Sequence, residues 1–301
     1  MDFPKCRGHS DADCRAYLFV GVVGDRGRRV HQAECYARGM TGYHRIVCLT
    51  EETTETLYRL DRADRIVGIS GFTVRPERAR REKPKVSAFT SAKIHRILEL
   101  EPDLVLGFSD MQADIAAALI REGVEVHVFN QRSIAGIITM IRRLGPMVDA
   151  IDAAGELADG LEAHVAAVRA RHAGRSDRPR VYFQEWDDPQ ICGIQWVSEL
   201  IAIAGGTDCF SDRAAAADAR GRFVDPGEVP ERAPEIIIGS WCGKRFRPER
   251  LRSITEWQDV PAIRNNRLAE IKSPLILQPG PAALTDGLEA LERIIHDGVT
   301  Q

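Results

Sequence analysis

The chain has 301 residues, with 41 Lys and Arg against 44 Asp and Glu and a net charge of −3 at neutral pH. Interspersed charge of this kind offers no basic stripe for a nucleic-acid backbone. No apolar run reaches the roughly 20 residues that a membrane span needs, and the length suits about two domains.

Residues 1–39 are rich in Arg, Asp, Gly and Cys and keep no sustained period, so they read as a poorly structured extension. Ala16–Val23 is a short apolar stretch. Asp2, Asp11 and Asp13 lie upstream and no clean small-x-small site follows, which points away from a secretion signal. Seven cysteines without a CxxC pair fit reduced thiols. The expected compartment is therefore the cytoplasm, or the periplasm if this segment is exported.

Beyond Met40 the pattern alternates strand and helix. Strands are expected at Tyr43–Leu49, Arg65–Ile69, Asp103–Phe108 and Glu125–Phe129. Helices are expected at Lys93–Leu100, which Glu101-Pro102 stops, and at Asp110–Arg121. Strands separated by helices argue for parallel pairing in an α/β layer. Between Val148 and His172 the residues Ile151, Ala154, Leu157, Leu161, Val165 and Val168 recur at three or four apart, on one helical face. Gly155 and Gly160 weaken this helix slightly. The second half then repeats the alternation. Strands are expected at Arg180–Gln184, Glu235–Gly239 and Arg267–Ile271. Helices are expected at Val197–Ala204, closed by Gly205-Gly206, and at Leu284–Ile295. The expected division is an extension at 1–39, an α/β lobe at 40–147, a connecting helix at 148–173 and a second α/β lobe at 174–301.

One internal echo concerns function. Glu101-Pro-Asp-Leu-Val-Leu-Gly-Phe108 matches Ala233-Pro-Glu-Ile-Ile-Ile-Gly-Ser-Trp241. Each half has a strand that leaves its sheet at a glycine, with an aromatic just beyond. Strand-end loops line ligand crevices in α/β layers, so a cleft between two halves is expected; a common helix–Pro–strand connection is the alternative.

Several segments together resemble the class III periplasmic binding proteins, the cobalamin, siderophore and haem receptors of ABC importers. They are Arg45–Glu55, Arg65–Ser70, Lys85–Ser87, Ile97–Val105, Glu199–Gly206 and Val229–Ile238. The resemblance runs from about Arg45 to Ile295 and is nearest to the cobalamin-binding members. It implies two Rossmann-like α/β lobes joined by one long helix, a shallow ligand cleft between them and little hinge closure. It also implies a surface glutamate on each lobe that docks onto a permease. The first position falls on His95, which is not a carboxylate; the second falls near Glu228.

Flat rings suit a large flat ligand, because each buries much area and needs no partner for its face. The candidates are Phe72, Phe89, Phe108, Trp186, Trp196 and Trp241, with core packing as the alternative. Glu185-Trp-Asp-Asp-Pro189 reads as an acidic loop whose Glu185 accepts hydrogen bonds or holds a cationic group, or as plain turn chemistry. Lys244 or Arg245, in Ser240–Phe246, is placed to meet a phosphate or carboxylate of a ligand, or the two lie as a solvated surface pair. Lys272–Pro281, with three prolines, reads as a stiff loop presenting Lys272, Ser273 and Gln278, or as a plain surface connection.

Metal chemistry is the minor reading. Cys6, His9, Cys14, His31 and Cys35 contain two pairs at helical spacing that would suit zinc, and Cys192 or Cys242 could give a soft axial ligand. Reduced tail residues and small buried hydrophobes are the alternatives. The expected function is a non-enzymatic binding protein for a corrinoid or similar organometallic ligand, with no cofactor required and a permease as its protein partner. The alternative is an enzyme or a metal- or cofactor-handling factor using Glu185, Asp187 or Cys242. No P-loop, GxGxxG or Ser/His/Asp motif is present.

Overall fold

The computed structural model describes residues 42–296. The extension at 1–39 and its Cys6, His9, Cys14, His31 and Cys35 lie outside the described residues.

The first half contains β1 (Ile46–Cys48), α1 (Glu51–Arg59), β2 (Ile66–Ser70), α2 (Glu77–Glu82), β3 (Lys85–Ser87), α3 (Ile94–Glu99), β4 (Leu104–Phe108), α4 (Ala113–Arg121) and β5 (Val126–Phe129). Its strands form one sheet in the order β3-β2-β1-β4-β5. Every pair is parallel, with Ile46 opposite Ile66 on one side and opposite Leu104 on the other. The central strands are short aliphatic runs because helices cover both faces of a parallel sheet, so both faces must be apolar. Ile46, Val47, Leu104, Val105 and Leu106 are buried accordingly.

Two helices follow, α5 (Ile134–Met147) and α6 (Ile151–His172). The 22-residue α6 is the long helix that the apolar spacing implied. Ala154, Ala158, Leu161, Val165 and Val168 are buried along one face. Gly155 and Gly160 have open space around them, so they cost helix propensity and no packing. At Gly145 a Cβ would stand 2.5 Å from that of Ala154, so the glycine lets α5 lie closely against α6.

The second half contains β6 (Arg180–Asp187), β7 (Gln190–Cys192), α7 (Gln195–Ile203), β8 (Thr207–Asp208), α8 (Glu228–Arg232), β9 (Ile236–Gly239), α9 (Pro248–Arg252), α10 (Pro261–Arg264), β10 (Leu268–Glu270), α11 (Ser273–Ile276) and α12 (Leu288–His296). Its sheet runs β10-β9-β6-β7, with β8 also paired to β6. Only the β6–β7 hairpin is antiparallel. The architecture is two α/β lobes with mainly parallel sheets, as expected.

Two segments differ from the sequence reading. Glu185 and Trp186 belong to β6 and not to a loop after it, because β7 pairs with Gln184, Trp186 and Asp187 and extends the strand past Glu185, which sits at a register shift. Lys272–Pro281 is not a plain loop either. Pro274 stands in the first turn of α11, where its missing N–H costs nothing.

Candidate functional site

The C-terminal ends of the strands of both sheets come together along a seam between the lobes. Gln131, after β5, donates its side-chain N–H to Pro279 O at 3.0 Å. Arg75, after β2, pairs with Asp286 at 2.6 Å. The Cys242 thiol, after β9, feels the charges of Glu185 in its own lobe and of Glu51 in the other. In a parallel sheet this is the edge where ligands bind.

Exposed apolar side chains mark the same edge. Phe72 is 57% exposed, Val74 38% and Met111 57%, and all follow strand ends of the first lobe. In the second lobe Phe223 is 41% exposed and bridges to Ile191 of β7. Large apolar groups held in water beside one another mark an interaction surface. Ser109, at the end of β4, has a positive φ of 60°. Its hydroxyl oxygen accepts from Met111 N at 3.4 Å, which fixes the turn that carries Met111 outward.

Two carboxyl groups stand at the start of α1. Glu51 accepts from the backbone N–H groups of Val74 at 2.7 Å and Arg75 at 3.2 Å. Glu52 accepts from the Thr50 hydroxyl at 2.6 Å, and its Oε2 is buried without a partner. Burial pushes both up to about 7. Near neutral pH each can therefore accept or donate a hydrogen bond.

The second lobe contributes a charged network. Arg222 forms an ion pair with Glu185 and donates to Cys192 O at 2.7 Å. Lys244 pairs with Asp187 at 3.0 Å, and its ammonium lies 3.8 Å from the centre of the Trp186 ring. Arg250 also pairs with Asp187. The carboxylates and cations of this wall thus largely neutralise one another.

Of the residues singled out in the sequence, Phe72, Glu185, Trp186 and Lys244 lie on this edge. Phe108 ends β4 there but is buried, and the Arg132 guanidinium lies 5.4 Å from its ring. Phe89 is half-buried, and its carbonyl accepts from Gln112. Gln278 is half-buried in the segment that crosses the seam. Lys272 is exposed and pairs with Glu270 at 2.6 Å, so it presents no free cation.

Trp196 and Trp241 do not match the expected cleft walls. Each is 3% exposed. The Trp196 indole N–H donates to Ile276 O, and its ring packs in the main core. The Trp241 indole N–H donates to Gln184 Oε1, and its ring stands edge-on to Phe246, 5.2 Å between centres. Aromatic partners and a hydrogen bond inside the lobe outweigh the pull of the adjacent polar loop.

Neither Cys192 nor Cys242 joins a group of metal ligands among the described residues. Burial pushes Cys192 up to about 12, which disfavours the thiolate a metal needs. Cys242 is an exposed residue, yet desolvation and then the Glu185 and Glu51 charges raise its thiol as well. Among the described residues no group of three or more His, Cys, Asp or Glu is placed to hold a metal ion.

Glu51, Glu52, Met111, Arg222 and Phe223 were not singled out in the sequence. A pair of acids directly after an aliphatic strand was a usable signal for the first two. Nothing local marked Arg222 and Phe223, whose partners lie about 30 residues away.

Two α/β lobes that meet at their strand ends, with exposed apolar side chains and carboxyl groups along the seam, are the architecture of a binding-protein class. The periplasmic binding protein family matches residues 46–275, and the chain belongs to that family. A vitamin B12-binding protein of Vibrio campbellii is 26% identical over 252 residues, covering 82% of this chain and 88% of the relative. A structure from Staphylococcus epidermidis, described as a possible iron-binding (periplasmic solute-binding) protein, superposes with a TM-score of 0.72. It is 21% identical and covers 85% of this chain and all of its own. The apo periplasmic heme-binding protein of Roseiflexus gives a TM-score of 0.71 at 24% identity, covering 85% of this chain and all of its own. These structures share the fold.

Proposed function

We propose that this chain is the ligand-binding component of an import system and holds one corrinoid in the crevice between its lobes. The observation that carries this reading is the pairing of exposed apolar side chains with carboxyl groups at the seam. Phe72, Val74 and Met111 form one wall, and Trp186 and Phe223 the other. A flat macrocycle covers such groups on both faces. Glu51 then faces a ligand rim that presents amide N–H donors. Lys244 and Arg222 are already paired, so a ligand bearing anionic groups finds less to hold it. The relatives named for vitamin B12 support the same choice.

The enzyme alternative gains nothing from this geometry, because Asp187 and Glu185 are engaged in ion pairs. No resident cofactor enters this reading, in which the corrinoid is cargo. The family's mode of action implies a permease. His95 is exposed on the first lobe, and Glu228 is held by Arg213 and Arg232 inside the second. Docking would then rely on other surface residues. In this reading the chain acts in the periplasm, the compartment of its family, rather than in the cytoplasm that residues 1–39 suggested.

Titration with cyanocobalamin, followed by its visible absorption band and by calorimetry, tests the reading. Saturable one-to-one binding tighter than about 10 μM is expected. No binding of cyanocobalamin alongside tight binding of hemin would replace the corrinoid with haem; binding of neither would overturn the crevice as a macrocycle site.

A further inference from the structure

We propose that the groove between α5, α6 and α7, whose lining shares no residue with the crevice described above, binds a medium-chain fatty acid as its carboxylate. The groove encloses about 700 Å³. That lies within the roughly 300–1,000 Å³ typical of small-molecule sites. Its apolar lining consists of the buried Ile138, Val165 and Ile203 and the exposed Ala135, Ala166 and Ala202. The lining holds aliphatic groups and no ring, which suits a flexible chain better than a flat ligand.

The cationic charge lies at one end. Arg169 and Arg178 line the groove, and so do Glu162 and Glu199. Both acids are engaged within the protein. Glu162 pairs with Arg142 at 2.7 Å, while Glu199 accepts from Ile134 N at 2.8 Å and from Gln195. The two arginines have no carboxylate partner among the described residues. Arg178 donates through Nη2 to Ala202 O and Gly206 O at the end of α7, which leaves its other N–H groups available. That end of α7 also meets the end of α6, since a Cβ on Gly205 would stand 3.1 Å from the His172 ring. Arg169 is one turn before His172, so both guanidinium groups sit at the same end. Glu162, seven residues earlier on α6, lies about 10 Å away at 1.5 Å per residue. A carboxylate meets the planar donors of the arginines, and the chain runs along the alanines toward Glu162.

The test is calorimetric titration of the full chain with decanoate and, separately, with decanol. Saturable one-to-one uptake of decanoate is expected, and decanol should bind at least about 10-fold more weakly. Arg169→Glu, an exposed position, should weaken decanoate at least about 10-fold, and Ala166→Trp should abolish uptake by filling the groove. Cyanocobalamin should leave decanoate binding unchanged. No saturable uptake up to about 1 mM, equal binding of decanol, an Arg169→Glu variant that binds like the parent, or displacement by cyanocobalamin would each overturn the proposal. If Ala166→Trp does not fold, Arg169→Glu decides alone.

Discussion

Glu52 and Gly280 touch across the seam between the lobes: a Cβ on Gly280 would stand 2.6 Å from Glu52 Cβ and 3.1 Å from its Cα. These atoms belong to the start of α1 and cannot swing aside as the tip of a long side chain can. Gly280→Ala is therefore expected to destabilise the protein by about 1–3 kcal/mol, the range for overpacking. Thermal unfolding of the two proteins measures it. An unchanged melting temperature would mean that the two lobes part freely here.

The Glu52 carboxyl is buried, keeps one oxygen without a partner and is pushed up to about 7. A raised carboxyl binds its proton more tightly in the folded chain than in the unfolded one. Its stabilising contribution is present below the ordinary value of 4.5 and is lost as the pH rises through about 7. Glu51 acts with the same sign. Glu52→Gln keeps an acceptor for Thr50 and removes the charge. At pH 8 it should be more stable than the parent by on the order of 2–3 kcal/mol, and the difference should shrink as the pH falls to 5. Denaturation by urea at both values is the check, and a difference that grows on acidification would reverse the sign.

Trp186 and Trp241 should respond oppositely to truncation. Trp241 is enclosed by Phe246 and Gln184, so Trp241→Ala should cost about 3–5 kcal/mol of stability. Trp186 is half-buried at the seam under Lys244. Trp186→Ala, and equally Phe223→Ala, should weaken cyanocobalamin binding by at least ~1 kcal/mol while changing stability less than Trp241→Ala does. Paired melting and titration experiments separate the two effects.

Arg222 has a side chain only 5% exposed, and it holds Glu185. Removing one member of a buried ion pair leaves the other without compensation. Arg222→Ala should lower stability by about 3 kcal/mol, and the double replacement Arg222→Met with Glu185→Leu should recover most of that loss. Chemical denaturation of both variants measures the recovery. Equal loss in both would assign the cost to the missing bond to Cys192 O instead.

By itself the sequence determined the periodic features: aliphatic runs for buried parallel strands, three-and-four spacing for α6, and the combination of segments that marks the family. These are legible because each depends on neighbours within one element or on segments that recur together. Only the tertiary structure decided which strand-end side chains stand exposed at the seam and which turn into the lobes. Trp241 turns inward because Gln184, 57 residues earlier, and Phe246 offer it a hydrogen bond and a ring face. Lys244 is neutralised by Asp187, again 57 residues away, and Glu185 by Arg222, 37 residues on. The direction of a loop side chain is set by contacts between elements far apart in the chain, and no local spacing records them.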